Sequence, residues 1–75
     1  MVLKYMRTYR NLKQEVIAKS LEIERTTLSG YESGRRQPDF STIEKIATEC
    51  NFSIYFVNNV TGEKFQSRDF PRKEL

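Results

Sequence analysis

The chain has 75 residues, 37% hydrophobic and 31% charged, a composition that suits one small globular domain better than a disordered tail. The net charge of +3 is unevenly placed: residues 1–38 carry eight Lys and Arg against four acids and residues 39–75 five against six, so a basic half able to meet a polyanion adjoins a near-neutral half. With no histidine, one cysteine and no apolar run of membrane-span or signal-peptide length, the chain is expected to be cytoplasmic and not an enzyme, with no metal, no cofactor and no membrane partner.

In chain order, Leu3, Met6 and either Tyr9 or Arg10 recur at spacings of three and four, which predicts a short amphipathic helix over residues 2–10, interrupted by Asn11. A second helix is predicted from Lys13 to Leu21, with Ile17, Ala18 and Leu21 on one face. The stretch ERTTLSGYESGRRQ, residues 24–37, is poor in helix formers. If residues 25–32 are nevertheless helical, Leu28 and Tyr31 share an inward face, Ile23 closes the corner, and Arg25, Thr26, Ser29 and Gly30 point outward. Pro38 then Asp39 is a helix-start signal, because proline biases its predecessor away from helix and aspartate is a good N-cap. Phe40, Ile43, Ile46, Ala47 and Cys50 follow at helical spacing up to Asn51, and Cys50 is expected to be a small core residue.

After residue 52 the period changes. Ser53–Val60 reads SIYFVNNV, a strand-favouring run with four consecutive apolar residues. Thr61-Gly62-Glu63 supplies a turn, and Lys64-Phe65-Gln66 can return as a second strand. A lone hairpin is marginal in water, and a strand apolar on both faces needs cover on both. That cover comes either from the chain's own helices or from the same strand of a second copy. The final residues, SRDFPRKEL, are expected to be a flexible charged tail.

The segment QEVIAKSLEIERTTLSGYESGRRQP, Gln14 to Pro38, resembles the helix-turn-helix of the Cro and phage-repressor type, the XRE family. The resemblance puts the family's small residue on Ala18, its apolar positions on Ile17, Leu21, Ile23, Leu28 and Tyr31, and its glutamate and glycine on Glu32 and Gly34. Arg7 matches the arginine that forms a structural ion pair with that glutamate. Two positions depart from the pattern. Glu22 stands where the family has a turn glycine, which predicts a less tight turn, and Glu24 replaces a serine or threonine cap. In carrying the SIYFV strand instead of a fifth helix, the chain is similar to antitoxins of the HipB type, whose C-terminal strands pair across a dimer.

The fold class this implies is mainly α: a four-helix, lambda-repressor-like helix-turn-helix domain over residues 1–52, a β-strand or hairpin extension over 53–66, and a tail over 67–75. The function implied is a sequence-specific, double-stranded-DNA-binding transcriptional regulator, a repressor acting as a homodimer on a palindromic operator. The alternative is an antitoxin that neutralises a partner toxin and autoregulates its operon. Carried over position by position, the base-reading residues are Arg25, Thr26, Ser29 and Gly30. Gly30 stands where the family often has a longer polar side chain, and it can equally be a site of close packing. Gln14, Lys13, Arg35 and Arg36 are the phosphate-binding residues, and Ile54, Tyr55, Phe56 and Val57 form the dimer interface.

Overall fold

The structure, a computed structural model, describes residues 2–69. Four helices, α1 (Val2–Tyr9), α2 (Gln14–Leu21), α3 (Arg25–Ser33) and α4 (Phe40–Glu49), precede a two-stranded antiparallel hairpin of β1 (Phe56–Val57) and β2 (Lys64–Phe65). A 3-10 turn, Ser67–Asp69, ends the described chain. Each helix contributes to one core of Leu3, Met6, Ile17, Ala18, Leu28, Ile46, Ala47 and Cys50. Leu28, Ile46 and Ile17 are almost wholly removed from water, each burial stabilising by about 1.5–3 kcal/mol. Leu21, Ile23, Tyr31 and Ile43 pack around this centre. Helix α2 packs on α3 and α4, and α1 closes the other side against the same two helices.

The helix ends follow the local chemistry. Asp39 caps α4, its Oδ1 accepting from the Thr42 N–H at 2.8 Å, and this bond holds its carboxyl below the usual carboxylate range. Asn11 and Asn51, both at positive φ, stop α1 and α4. Gly34, at φ 86°, closes α3 in the left-handed conformation that favours glycine. The turn between α2 and α3 differs from expectation. Glu22 adopts the full left-handed conformation, φ 59° and ψ 41°, and the Ile23 N–H reaches the Ala18 carbonyl at 2.9 Å. The turn is therefore tight without a glycine, because Leu21 before it and Ile23 after it both reach the core.

Helix α1 also differs in detail. Its inward positions are Leu3, Met6 and Arg7, whereas Tyr9 and Arg10 are exposed. Tyr9 instead joins Tyr5 and Phe52 in a surface aromatic cluster with ring centroids 5.8–6.4 Å apart. Phe40, the first residue of α4, lies at the surface against Phe56 at 5.5 Å.

The hairpin is shorter than the predicted strand. Phe56 lies opposite Phe65 and Val57 opposite Lys64. Its loop is held by Asn58, whose N–H donates to the Glu63 carbonyl and whose carbonyl accepts from the Gly62 N–H, both at 2.7 Å. Strand alternation divides the apolar run. Ile54 packs against the helical core and Phe56 turns to Phe40, leaving Tyr55 and Val57 about half exposed. Two of the four residues expected at a dimer interface are thus engaged within their own chain. The Ser67 hydroxyl donates to Glu44 on α4 at 2.6 Å, so the start of the expected flexible tail is tied down, and residues 70–75 lie outside the described residues.

Candidate nucleic-acid interface

The site is built on a polar chain running through the contacts between α1, α2 and α3. Arg7 and Glu32 are both buried, Glu32 on the inner face of α3. The Arg7 guanidinium donates from Nε to Glu32 Oε2 at 2.6 Å and from Nη2 to Oε1 at 2.9 Å, a bidentate pair. Its Nη1 donates to the Leu12 carbonyl at 2.7 Å, which ties the α1–α2 loop to the same centre. Hydrogen bonding to Glu32 raises the Arg7 pKa above its ordinary value. Burial pushes the Glu32 carboxyl up, but hydrogen bonds from Arg7 and Gln14, with the nearby charges of Arg7 and Lys4, hold it below the usual range.

The chain continues outward. Gln14 Nε2 donates to Glu32 Oε1 at 3.0 Å, and Gln14 Oε1 accepts from Arg25 Nη1 at 3.2 Å. An ionised carboxylate can only accept, so Gln14 must offer Glu32 its NH2 group, and its oxygen then faces Arg25. A buried ion pair thereby orients the first residue of α2, which in turn orients the first residue of α3. Lys4, Ser29 and Ser33 line a shallow cleft beside Gln14 and Glu32. Lys4 was missed from the sequence, although it stands three residues before Arg7 and so on the same helix face.

The predicted site residues fall into three groups. Arg25 and Thr26 are exposed on the first turn of α3, and Ser29, half-buried, follows one turn later. Gly30 does not lie open on that face. It is buried, and the methylene stem of Arg36 covers it. Gly30 is therefore not outward as periodicity predicts, because a side chain from the loop after α3 lies over the space that glycine leaves. Lys13 and Gln14 stand at the start of α2, and Arg35 and Arg36 follow α3, both exposed. Lys13 and Glu24 occupy the N-cap positions of α2 and α3, and neither side chain makes a capping hydrogen bond, in contrast to Asp39 on α4. The helix N-termini that meet at Gln14 and Arg25 thus both have first amides that no cap side chain occupies.

Among the described residues no group of three or more Cys, Asp or Glu is placed to hold a metal ion, and no helix is long and apolar enough to cross a membrane. A family model described as helix-turn-helix matches residues 3–57. No curated protein and no solved structure gives a significant match.

Proposed function

The chain belongs to the helix-turn-helix family of the Cro/C1 type, DNA-binding transcription regulators, and on that premise we propose that it is a sequence-specific repressor acting as a homodimer in the major groove of operator DNA. The observation that carries this reading is the orientation of Arg25 by Gln14 and the buried Arg7–Glu32 pair. An α-helix fits the major groove, and residues near its N-terminus reach the base edges. Arginine can donate two bonds to guanine, and a threonine hydroxyl or methyl can meet a neighbouring base. Gln14 and the uncapped amides of α2 suit a phosphate, as does the positive end of the helix dipole. Lys13, Arg35 and Arg36 add phosphate contacts around the reading face.

One domain reading a few base pairs discriminates weakly. A two-fold dimer reading half-sites about 34 Å apart supplies the rest. Selection from random duplexes is therefore expected to return one palindromic sequence, and a pool with no enriched sequence overturns the reading. On the selected duplex, Arg25→Ala is expected to relax preference at one or two base pairs, a loss of about 1–3 kcal/mol of discrimination. Arg35→Ala is expected to weaken all duplexes alike and to lower the salt slope by about one counterion. Unchanged preference in Arg25→Ala would displace the reading face from the start of α3.

A second reading, an antitoxin that binds a partner toxin and represses its own operon, draws on the exposed Tyr55, Val57 and Val60 of the hairpin. It predicts a stable complex with the product of the adjacent gene when the two are co-expressed.

A further inference from the structure

Gly30 stands one helical turn after Thr26, on the side of α3 that periodicity turns outward. It is nevertheless buried. A Cβ built there would lie 2.9 Å from Arg36 Cδ and 3.0 Å from Arg36 Cγ, closer than non-bonded carbons settle, but an ordinary 3.5 Å from Arg36 Cβ. The stem of Arg36 therefore lies directly on the backbone of α3, where any other residue would place its first side-chain carbon. The main chain sets this approach: the Arg36 N–H donates to the Gly30 carbonyl at 3.2 Å, and the Ser33 hydroxyl donates to the same carbonyl, also at 3.2 Å. The main chain of Arg36 is thus tied to α3, while its charged end is not. Among the described residues the Arg36 guanidinium makes no hydrogen bond or ion pair, and Arg36 is exposed. Glycine is the least favourable residue in a helix interior apart from proline. Its presence inside a nine-residue helix thus coincides with a contact that only glycine allows.

We propose that Gly30 is a positioning residue for DNA binding: by carrying no side chain it seats the stem of Arg36 on α3, and so delivers the Arg36 guanidinium to the DNA that this helix meets. The proposal rests on the reading of α3 as the groove helix and of Arg36 as a contact to the DNA backbone. Gly30→Ala separates the two properties of this residue. The new Cβ displaces only Cγ and Cδ of a flexible side chain, while the hydrogen bond to the Gly30 carbonyl keeps the main chain in place. The helix gains a better former and the arginine loses its seat.

The test measures melting temperature, affinity for the selected duplex and the salt dependence of that affinity for Gly30→Ala, Arg36→Ala and the double variant. Gly30→Ala is expected to raise the melting temperature by about 4–8 °C, as a typical glycine-to-alanine gain does in a domain of this size. It is also expected to weaken DNA binding and lower the salt slope by about one counterion, a change that a purely structural role would not produce. Arg36→Ala is expected to weaken binding about tenfold, and adding Gly30→Ala to it should cause no further loss. If Arg36→Ala binds as tightly as the parent protein, the reading of Arg36 as a DNA contact fails. If Arg36→Ala weakens binding but Gly30→Ala keeps the parent affinity and slope, or if the two losses add, the seating role is overturned. A lower melting temperature in Gly30→Ala overturns it too, because the stem would then be unable to give way.

Discussion

Glu32 is where stability and recognition meet. Its carboxylate receives two bonds from Arg7 and one from Gln14, and through Gln14 it reaches Arg25 on the proposed reading face. Removing one partner of a buried pair leaves the other charge without compensation, at a cost of about 3–5 kcal/mol. A domain this small has little more than that in total. Glu32→Ala is therefore expected to lose most or all of its cooperative thermal transition by circular dichroism. Replacing both partners, as in Arg7→Met with Glu32→Leu, should recover much of it, because no charge is then left buried alone. The pH dependence follows from the same contacts. Folding lowers the Glu32 pKa, with the upward push of burial outweighed by hydrogen bonds from Arg7 and Gln14, whereas an unfolded glutamate titrates near about 4.3. The stabilisation is thus fully present above the unfolded value and is lost as pH falls through the lower folded one. Urea midpoints are expected to fall with acidification in the parent protein. In Glu32→Gln they should start lower and fall less.

At the scale of elements, the helix ends determine how the site is assembled. Asp39 gives α4 a side-chain cap, whereas α2 and α3 begin without one and converge on the proposed recognition surface. The turn that sets α3 against α2 places Glu22 in a left-handed conformation, at a cost on the order of 1 kcal/mol for a residue with a Cβ. Burial around that turn outweighs the strain, since Leu21 and Ile23 both pack against the core. Glu22→Gly is expected to stabilise the protein by about 1 kcal/mol or somewhat less, the gain being reduced by the extra freedom of glycine in the unfolded chain. A higher urea midpoint with an unchanged m-value would show this gain. A midpoint at or below that of the parent would mean that Glu22 makes a compensating interaction.

At the scale of the whole molecule, the proposed two-fold reader needs a contact between two copies of one small domain. The hairpin leaves Tyr55 and Val57 about half exposed while Ile54 and Phe56 pack against the chain's own helices. Our proposed dimer therefore rests on the outer face of β1. Tyr55→Ser with Val57→Ser is expected to shift sedimentation toward monomer and to weaken binding to a palindrome, leaving the melting temperature nearly unchanged at low protein concentration, where the parent too is monomeric. Truncation after Asn51 would be a poorer test, because it also removes Phe52 and Ile54 from their packing against the core. If the double variant sediments as the parent does, the dimer contact lies elsewhere.

Much of this fold is legible in the order of residues because its signals are local. Helical spacing marks Ile17, Leu28 and Ile46 as core, and Asp39 and Gly34 mark helix ends by their own chemistry. The positions of Arg25 and Thr26 at the start of α3 follow from the same periodicity. What the tertiary structure decides depends on residues distant in the chain. Arg7, whose pairing with Glu32 the family resemblance implies but periodicity does not, takes an inward position on α1 because Glu32, twenty-five residues later, supplies its counter-charge. Glu22 accepts a glycine's conformation because the packing on either side of it outweighs the strain. Ile54 and Phe56 are drawn from the face of a pairing strand to the helices beneath it. Gly30, outward by periodicity, is buried because the loop after α3 folds back and lays Arg36 across it. Periodicity tells which side of a helix faces water, but only the folded chain determines what comes to lie on that side.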